Sequence, residues 1–261
     1  MLIYVESKDS PAGMQIVLNG WLKVMTQPTT PHLASTVVLV RPDSSGNFQI
    51  LMNRRPEKMD TYAGVYVFPG GRVERSDWSA EIMKLVRGLS PSEAQEKLGT
   101  ELHPELCLGH WVAAVRELFE EVGIHFFVPQ GGANSIGQEM SERLSEKRAA
   151  LQQCEIDFAT FLESEQLCCD VAPLAYFYHR ITPDHYPVRF DTRFYLAALP
   201  PDQTPLHASE EVSESLWISP KEALDRSQRG NFPMMPPTLA VLRAVSSHRS
   251  WDELRDVFNL C

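Results

Sequence analysis

One helix-forming stretch constrains the rest of the chain. Trp111, Val112, Val115, Leu118, Phe119 and Val122 recur at helical spacing and form a single apolar stripe. At about 100° per residue, the stripe is centred nearly opposite Glu117, Glu120 and Glu121. These carboxylates stand at i, i+3 and i+4, within one turn, on the face expected to be exposed. Gly123 follows as the residue that ends the helix in the left-handed conformation.

The arrangement works against the helix that carries it. Like charges at these spacings repel by roughly 0.2–0.5 kcal/mol per pair. They also crowd the carbonyl end, where the macrodipole disfavours an anion by about 0.3–1 kcal/mol. Arg116, one turn before Glu120, offsets part of this. Two readings follow: a solvated acidic face, the usual fate of a charge run, or a site for a hard divalent cation such as Mg²⁺ or Mn²⁺.

Upstream, the β-type run Val65 to Phe68 meets Pro69-Gly70-Gly71, a strand entering a tight loop. With Arg116-Glu117-Leu118-Phe119-Glu120-Glu121-Val122-Gly123-Ile124, this stretch resembles the two halves of the Nudix box: Gly, five residues, an acid, seven residues, then Arg-Glu-apolar-any-Glu-Glu-any-Gly-apolar. The second half matches at every fixed position. In the first half Asp77 stands where the family has Glu, and 38 residues (78 to 115) replace the usual seven. Such a split box resembles the mammalian peroxisomal coenzyme A diphosphatases of the family. Leu51-Met52-Asn53-Arg54, the stretch Arg189 to Tyr195, and Trp217 to Ala223 are similar to that branch too.

The resemblance implies a single Nudix domain over residues 1–261, an α/β/α sandwich with a mixed sheet, interrupted by a helical insertion at about 78–109. It implies metal-dependent hydrolysis of a diphosphate, with coenzyme A or acyl-coenzyme A giving 3′,5′-ADP and 4′-phosphopantetheine products. ADP-ribose or another nucleotide, and a non-catalytic Nudix-fold binding or regulatory module, are the alternatives. Glu117, Glu120 and Glu121 would hold Mg²⁺ or Mn²⁺ with a carbonyl of Gly70 or Gly71. Glu117 is a ligand or the general base, and Arg116 orients a glutamate through a bidentate pair. Asp77, Glu211 and Glu214 are candidates for an additional acid.

Substrate phosphates would meet Arg54 and Arg72, with Arg55 read beside Arg54 as a solvated strand end or a phosphate contact. On a strand, Arg189, Asp191 and Arg193 share one face, either a phosphate site or a salt-bridged ladder. Phe68 and Trp217 are core residues or adenine platforms.

Composition narrows the partners. A formal charge of −10 over 261 residues argues against nucleic acid or an anionic membrane and requires local cations for an anionic small substrate. No apolar run approaches the ~18 residues of a spanning helix. Five cysteines without a framework spacing read as reduced thiols in a cytosol. Asn259-Leu260-Cys261 is not a peroxisomal address, so a cytoplasmic, bacterial relative is expected, with a homodimer as the candidate assembly. His103, Cys107 and His110 lack the fourth ligand of a zinc site and read as ordinary helix and loop residues.

Elsewhere the patterning predicts an extended lead-in over the first 30 residues and a hairpin from Ser35–Val40 and Gln49–Met52 around residues 42–47. Helices are expected at 77–86, at 91–98 behind the capping box Ser90-Pro91-Ser92-Glu93, and at 136–152 and 155–166. Strands follow at 124–128, 171–181, 190–199 and 216–218. A second capping box at Ser219 opens a helix to about Arg229, and helices at 236–246 and 251–258 close the chain.

Overall fold

A computed structural model of the chain describes residues 29–58, 63–131, 136, 138–206 and 212–260, so nearly all of the expected lead-in lies outside it. The predicted hairpin is present. Strands β1 (His32–Pro42) and β2 (Phe48–Arg54) pair antiparallel with Val40 opposite Ile50. Asp43 closes the turn by accepting from the backbone N–H groups of Ser45 and Asn47, at 2.8 and 3.0 Å. Two short pieces flank Phe68-Pro69: β3 (Tyr66–Val67) lies on β2, and β4 (Gly70–Arg72) lies on β1.

The insertion is folded and mainly helical, as expected, with two changes. A 3-10 turn at Ser76–Trp78 and helix α1 (Ala80–Leu85) replace the single helix expected over 77–86. The break comes where Ser79 turns extended to cap α1, accepting from Ile82 N at 3.3 Å. Strand β5 (Val86–Arg87) then leads to helix α2 (Pro91–Leu98). Both arms of its capping box form: Ser90 N donates to Glu93 at 2.8 Å and Glu93 N to Ser90 Oγ at 3.3 Å. Helix α3 (Pro104–Val122) starts well ahead of the apolar stripe, so residues 104–109 of the insertion belong to it. Gly109 on α3 lies against Trp78, where a Cβ would stand 2.8 Å from the tryptophan Cβ. The two ends of the insertion therefore touch.

Beyond Gly123, which caps α3 at φ 74°, come β6 (Phe127–Pro129), α4 (Gln138–Gln152) and α5 (Phe158–Ser164). The strand expected over 171–181 starts four residues late, as β8 (Ala175–Ile181), and a separate strand, β7 (Leu167–Asp170), precedes it in a different sheet. Pro173 sits in the turn between them, where Leu174 N donates to Val171 O at 3.1 Å. The chain finishes with β9 (Phe190–Ala198), β10 (Glu214–Ile218), α6 (Pro220–Gln228), α7 (Pro236–Val245) and α8 (Trp251–Phe258). At the second predicted box, Ser219 accepts from Glu222 N at 3.2 Å, while Glu222 turns to Arg226 instead of reaching back.

The main sheet runs β10-β2-β1-β9-β8, with β3 on β2 and β4 on β1. β1 and β9 are parallel and the other pairs antiparallel, so the sheet is mixed. Alternation along each strand sorts the cores. Leu39, Leu51 and Tyr195 face α3, while Val40, Met52 and Phe194 face the layer of α6, α7 and α8. A small sheet, β5-β7-β6, extends the α3 side. The result is an α/β/α sandwich.

Trp111, Leu118 and Phe119 are at most 1% exposed; burial of each such side chain stabilises by about 1.5–3 kcal/mol. Among the described residues no helix is long and apolar enough to cross a membrane. Cys107, Cys154, Cys168 and Cys169 are free thiols.

Candidate active site

The carboxylate face of α3 is not open to solvent. The side chains of Glu117 and Glu120 are 15% and 16% exposed. A helical wheel places them opposite the apolar stripe correctly, but β4 arrives on one side and the 151–158 segment on the other. Together they make a cleft of about 730 Å³ lined by Glu117, Glu120 and Glu121, with Arg55 and Arg72 at its basic side. Arg148 Nη1 and Gln152 Nε2 of α4 both donate to Glu120 O, at 2.6 and 2.7 Å, and satisfy a carbonyl near the end of α3.

The glycines of the loop let backbone take the place of side chains. A Cβ at Gly71 would land on the Glu117 carboxyl, and one at Gly70 on the Ser35 carbonyl. Arg72 O accepts from Arg116 Nη2 at 3.0 Å. The two halves of the motif thus meet across the insertion.

Arg116 is the hub. Its Nε and Nη2 hold both oxygens of Asp77 at 2.8 and 3.0 Å, and its Nη1 reaches Glu117 at 2.9 Å and Glu120 at 3.1 Å. The expected bidentate pair therefore exists, but its partner is Asp77 and not a glutamate. Asp77 is fully buried, so it is a structural counter-ion rather than an additional acid facing the cleft. The shorter side chain is accommodated because Glu74 N donates to its second oxygen at 2.8 Å, drawing the loop inward.

Charge crowding sets the acid–base behaviour. Burial pushes the Glu117 carboxyl up to about 7; Arg116 opposes the shift, and the negative charges of Glu120 and Asp77 add to it. Burial likewise raises Asp77, against the pull of Arg116. For Arg116, burial works against the charge, but Asp77, Glu117 and Glu120 outweigh it and hold the guanidinium protonated.

Three glutamates at one helix end supply the hard oxygen donors that Mg²⁺ or Mn²⁺ takes. Among the described residues no three acidic, His or Cys side chains converge on a point as they stand. The reason is visible in the ion pairs, since Arg116 Nη1 draws Glu117 and Glu120 to itself. The donor chemistry fits a divalent cation. Asn53, which is 1% exposed, faces Glu121 Oε2 with Nδ2 at 3.4 Å, and Ser215 Oγ at 2.8 Å from Oδ1 fixes the amide.

Other expected residues lie elsewhere. Arg54 points to the opposite face of β2 from Asn53, pairing with Glu57 at 2.6 Å, while Arg55 returns to the cleft. Glu214, on β10 opposite Arg54, accepts from Tyr66 Oη at 3.1 Å and faces away from the glutamates. Glu211 lies outside the described residues. Arg189 is buried against Thr182 O, Thr29 O and Asp184. Arg193 pairs with Asp191 at 2.9 Å, and Asp191 also meets His179. The trio is thus a set of internal ion pairs, not a phosphate site. Trp217 lies under Arg41 at 4.3 Å and Phe68 is core. Cys107 donates to Leu102 O, His103 pairs with Glu105, and His110 sits on Ser35, so each of the three has a partner of its own.

Residues 26–245 match the profile of the NUDT19 Nudix domain. The chain is 29% identical over 205 residues to the putative nudix hydrolase 7 of Caenorhabditis elegans, covering 78% of this chain and 58% of that protein. It is 29% identical over 250 residues to the acyl-coenzyme A diphosphatase NUDT19 of Gallus gallus, covering 80% and 64%. The chain thus spans about three-fifths of the length of the curated relatives it matches. Among solved structures, a NUDIX hydrolase from Alicyclobacillus acidocaldarius is similar with a TM-score of 0.70 at 27% identity, over 87% of this chain and 96% of that one.

Proposed function

Since the chain belongs to the Nudix hydrolase family, in the branch of the NUDT19 Nudix domain, we propose that it hydrolyses the diphosphate of a nucleoside diphosphate derivative, coenzyme A or an acyl-coenzyme A foremost. The observation that carries this reading is the meeting of the Gly70–Arg72 strand with Glu117 and Arg116 in one cleft. All three glutamates of the motif are retained there, which favours catalysis over a binding module.

Glu117, Glu120 and Glu121 would hold Mg²⁺ or Mn²⁺. When bound, such an ion polarises phosphoryl oxygens and lowers the pKa of a bound water. Water adds across the phosphorus–oxygen–phosphorus bridge: one P–O bond forms, one breaks, and the proton released passes to a base. Glu117 is suited to that role because burial keeps its carboxyl near neutrality. Asp77 fixes Arg116, which in turn fixes Glu117 and Glu120. Arg55 and Arg72, which line the cleft, would meet the phosphates and supply the local cations that a chain of charge −10 requires.

A panel of diphosphates with and without Mg²⁺ or Mn²⁺, with products identified by mass, tests the reading. Coenzyme A should yield 3′,5′-ADP and 4′-phosphopantetheine. Turnover of ADP-ribose alone would leave the hydrolase and remove this substrate; no turnover of any diphosphate would leave a binding module.

A further inference from the structure

The cleft does not end at the glycine loop. Arg55, Gly70, Gly71 and Arg72 also line a second depression of about 460 Å³, on the sheet face away from α3. It runs beside Phe190, Thr192 and Phe194 of β9 to Met235 and Pro237 at the start of α7. A third hollow of about 190 Å³ shares Phe190, Thr192, Met235 and Pro237 with it and ends at the 182–186 loop. Each hollow thus shares a wall with the next, and the series marks out a path leading away from the carboxylates. The β9 wall from Phe190 to Phe194 alone is roughly 13 Å long at the usual strand rise.

The side chains along this path change character in order. Cations stand where it leaves the cleft, at Arg55 and Arg72, and again at the far mouth, at Arg180. Between them the described lining residues are apolar, with hydroxyls from Thr36, Thr192 and Thr238 among them. A phosphate or carboxylate in that middle section would lose water without gaining a counter-charge. Methylenes interrupted by amides would be matched, the amides by threonine hydroxyls and the methylenes by Phe190, Phe194 and Met235.

We propose that this groove receives the uncharged arm of the substrate, so that the diphosphate sits at Arg55 and Arg72 while a chain of methylenes and amides, extended by an alkyl or acyl tail, lies along β9 toward the 182–186 loop. The inference rests on the diphosphate reading of the cleft and adds a direction to it: selectivity is set by the length of the uncharged arm, and Thr192 and Met235 determine it.

Calorimetric binding of S-alkyl-coenzyme A thioethers of two, six and ten carbons, with the full chain in EDTA, is the test. Affinity should rise with length by up to about fourfold per methylene until the groove is filled. Thr192→Phe, which fills the groove, and Met235→Glu, which places a charge at its half-exposed rim, should each flatten the series. A flat series in the unsubstituted protein, or a slope that survives both substitutions, overturns the proposal. Loss of 3′,5′-ADP affinity in Thr192→Phe without any dependence on alkyl length also overturns it, by placing the nucleoside in the groove. Hexyl and decyl phosphate, which carry no nucleotide, separate the two readings: chain-length dependence with these in a protein that hydrolyses no diphosphate keeps the groove and removes the enzymatic function.

Discussion

Arg116 closes on both oxygens of Asp77, at 2.8 and 3.0 Å, across an insertion that separates them by 39 positions. Asp77 is fully buried and Arg116 is 8% exposed, so neither charge has water to fall back on. Removing one partner should therefore cost more than the pair contributes. Asp77→Ala is expected to lower unfolding free energy by about 3–5 kcal/mol, measured by urea denaturation, with Asp77→Leu/Arg116→Met losing much less. Equal losses in the single and double variants would mean that the pair is not what holds the loop on α3.

Glu120→Gln and Glu121→Gln each remove a hard oxygen ligand while leaving the volume unchanged. Turnover should fall by orders of magnitude, at about 1.4 kcal/mol of barrier per tenfold. Thermal stability should hold or rise, because like-charge repulsion on α3 is relieved. Unchanged turnover in both would remove the site assignment.

Asn53 faces Glu121 under the control of Ser215. Asn53→Leu keeps the shape and loses the amide donor. Activation should need roughly 10- to 100-fold more Mg²⁺, in the range typical for groups that orient metal ligands. Ser215→Ala should act in the same direction and more weakly. Circular dichroism of both should match the unsubstituted protein.

Arg72 is exposed at the mouth of the cleft, with its backbone carbonyl, not its side chain, tied to Arg116. Arg72→Gln should raise KM for a diphosphate more than it lowers kcat, if the guanidinium binds ground and transition states alike. A fall confined to kcat would assign it to the transition state instead.

Two buried histidines give the stability a pH dependence. Burial lowers His110 to about 3 and His125 to about 4, the latter stacked on Phe127 with ring centroids 5.0 Å apart. Both are neutral in the fold, while the unfolded chain takes up these protons near pH 6.5. The unfolded state then binds more protons, so the contribution is complete above about 6.5 and is lost as pH falls toward the folded values. At pH 5, His125 alone should cost on the order of 2 kcal/mol relative to pH 7. Because the raised Glu117 carboxyl gives a slope of opposite sign over the same range, the measurement is a difference: the melting temperature of the unsubstituted protein minus that of His125→Phe should rise from pH 5 to 7.

Much of the architecture was legible because it is written locally. The Asp43 turn, the Ser90 capping box and the Gly123 cap each depend on residues within a few positions of one another. The glutamate cluster was legible for the same reason. Its environment was not, since the 151–158 wall of the cleft arrives from thirty residues farther on, which no helical wheel contains. The separation of Arg54 from Arg55 follows from strand alternation, which turns alternate side chains to opposite faces. Arg189 and Arg193 suggested a phosphate site by type, but their counter-charges, Asp184 and Asp191, already occupy them. The late start of the strand expected over 171–181 turned on Pro173, in the turn ahead of Ala175, which the apolar and aromatic pattern around it outweighed.

The contact between Trp78 and Gly109 makes the insertion a doorway with its posts side by side. The insertion's base is committed, since Ile82, Leu85, Ala94 and Leu108 belong to the main core. Its tip is not: Gly99 caps α2 with open space where a side chain would be. Lengthening a loop whose ends are already pinned is cheap, about 0.6 kcal/mol for each doubling. Distance along the chain between the two halves of this motif is consequently a quantity that evolution, or an engineer splicing a reporter domain after Gly99, can change by whole domains while the chemistry a few ångströms away stays where it is.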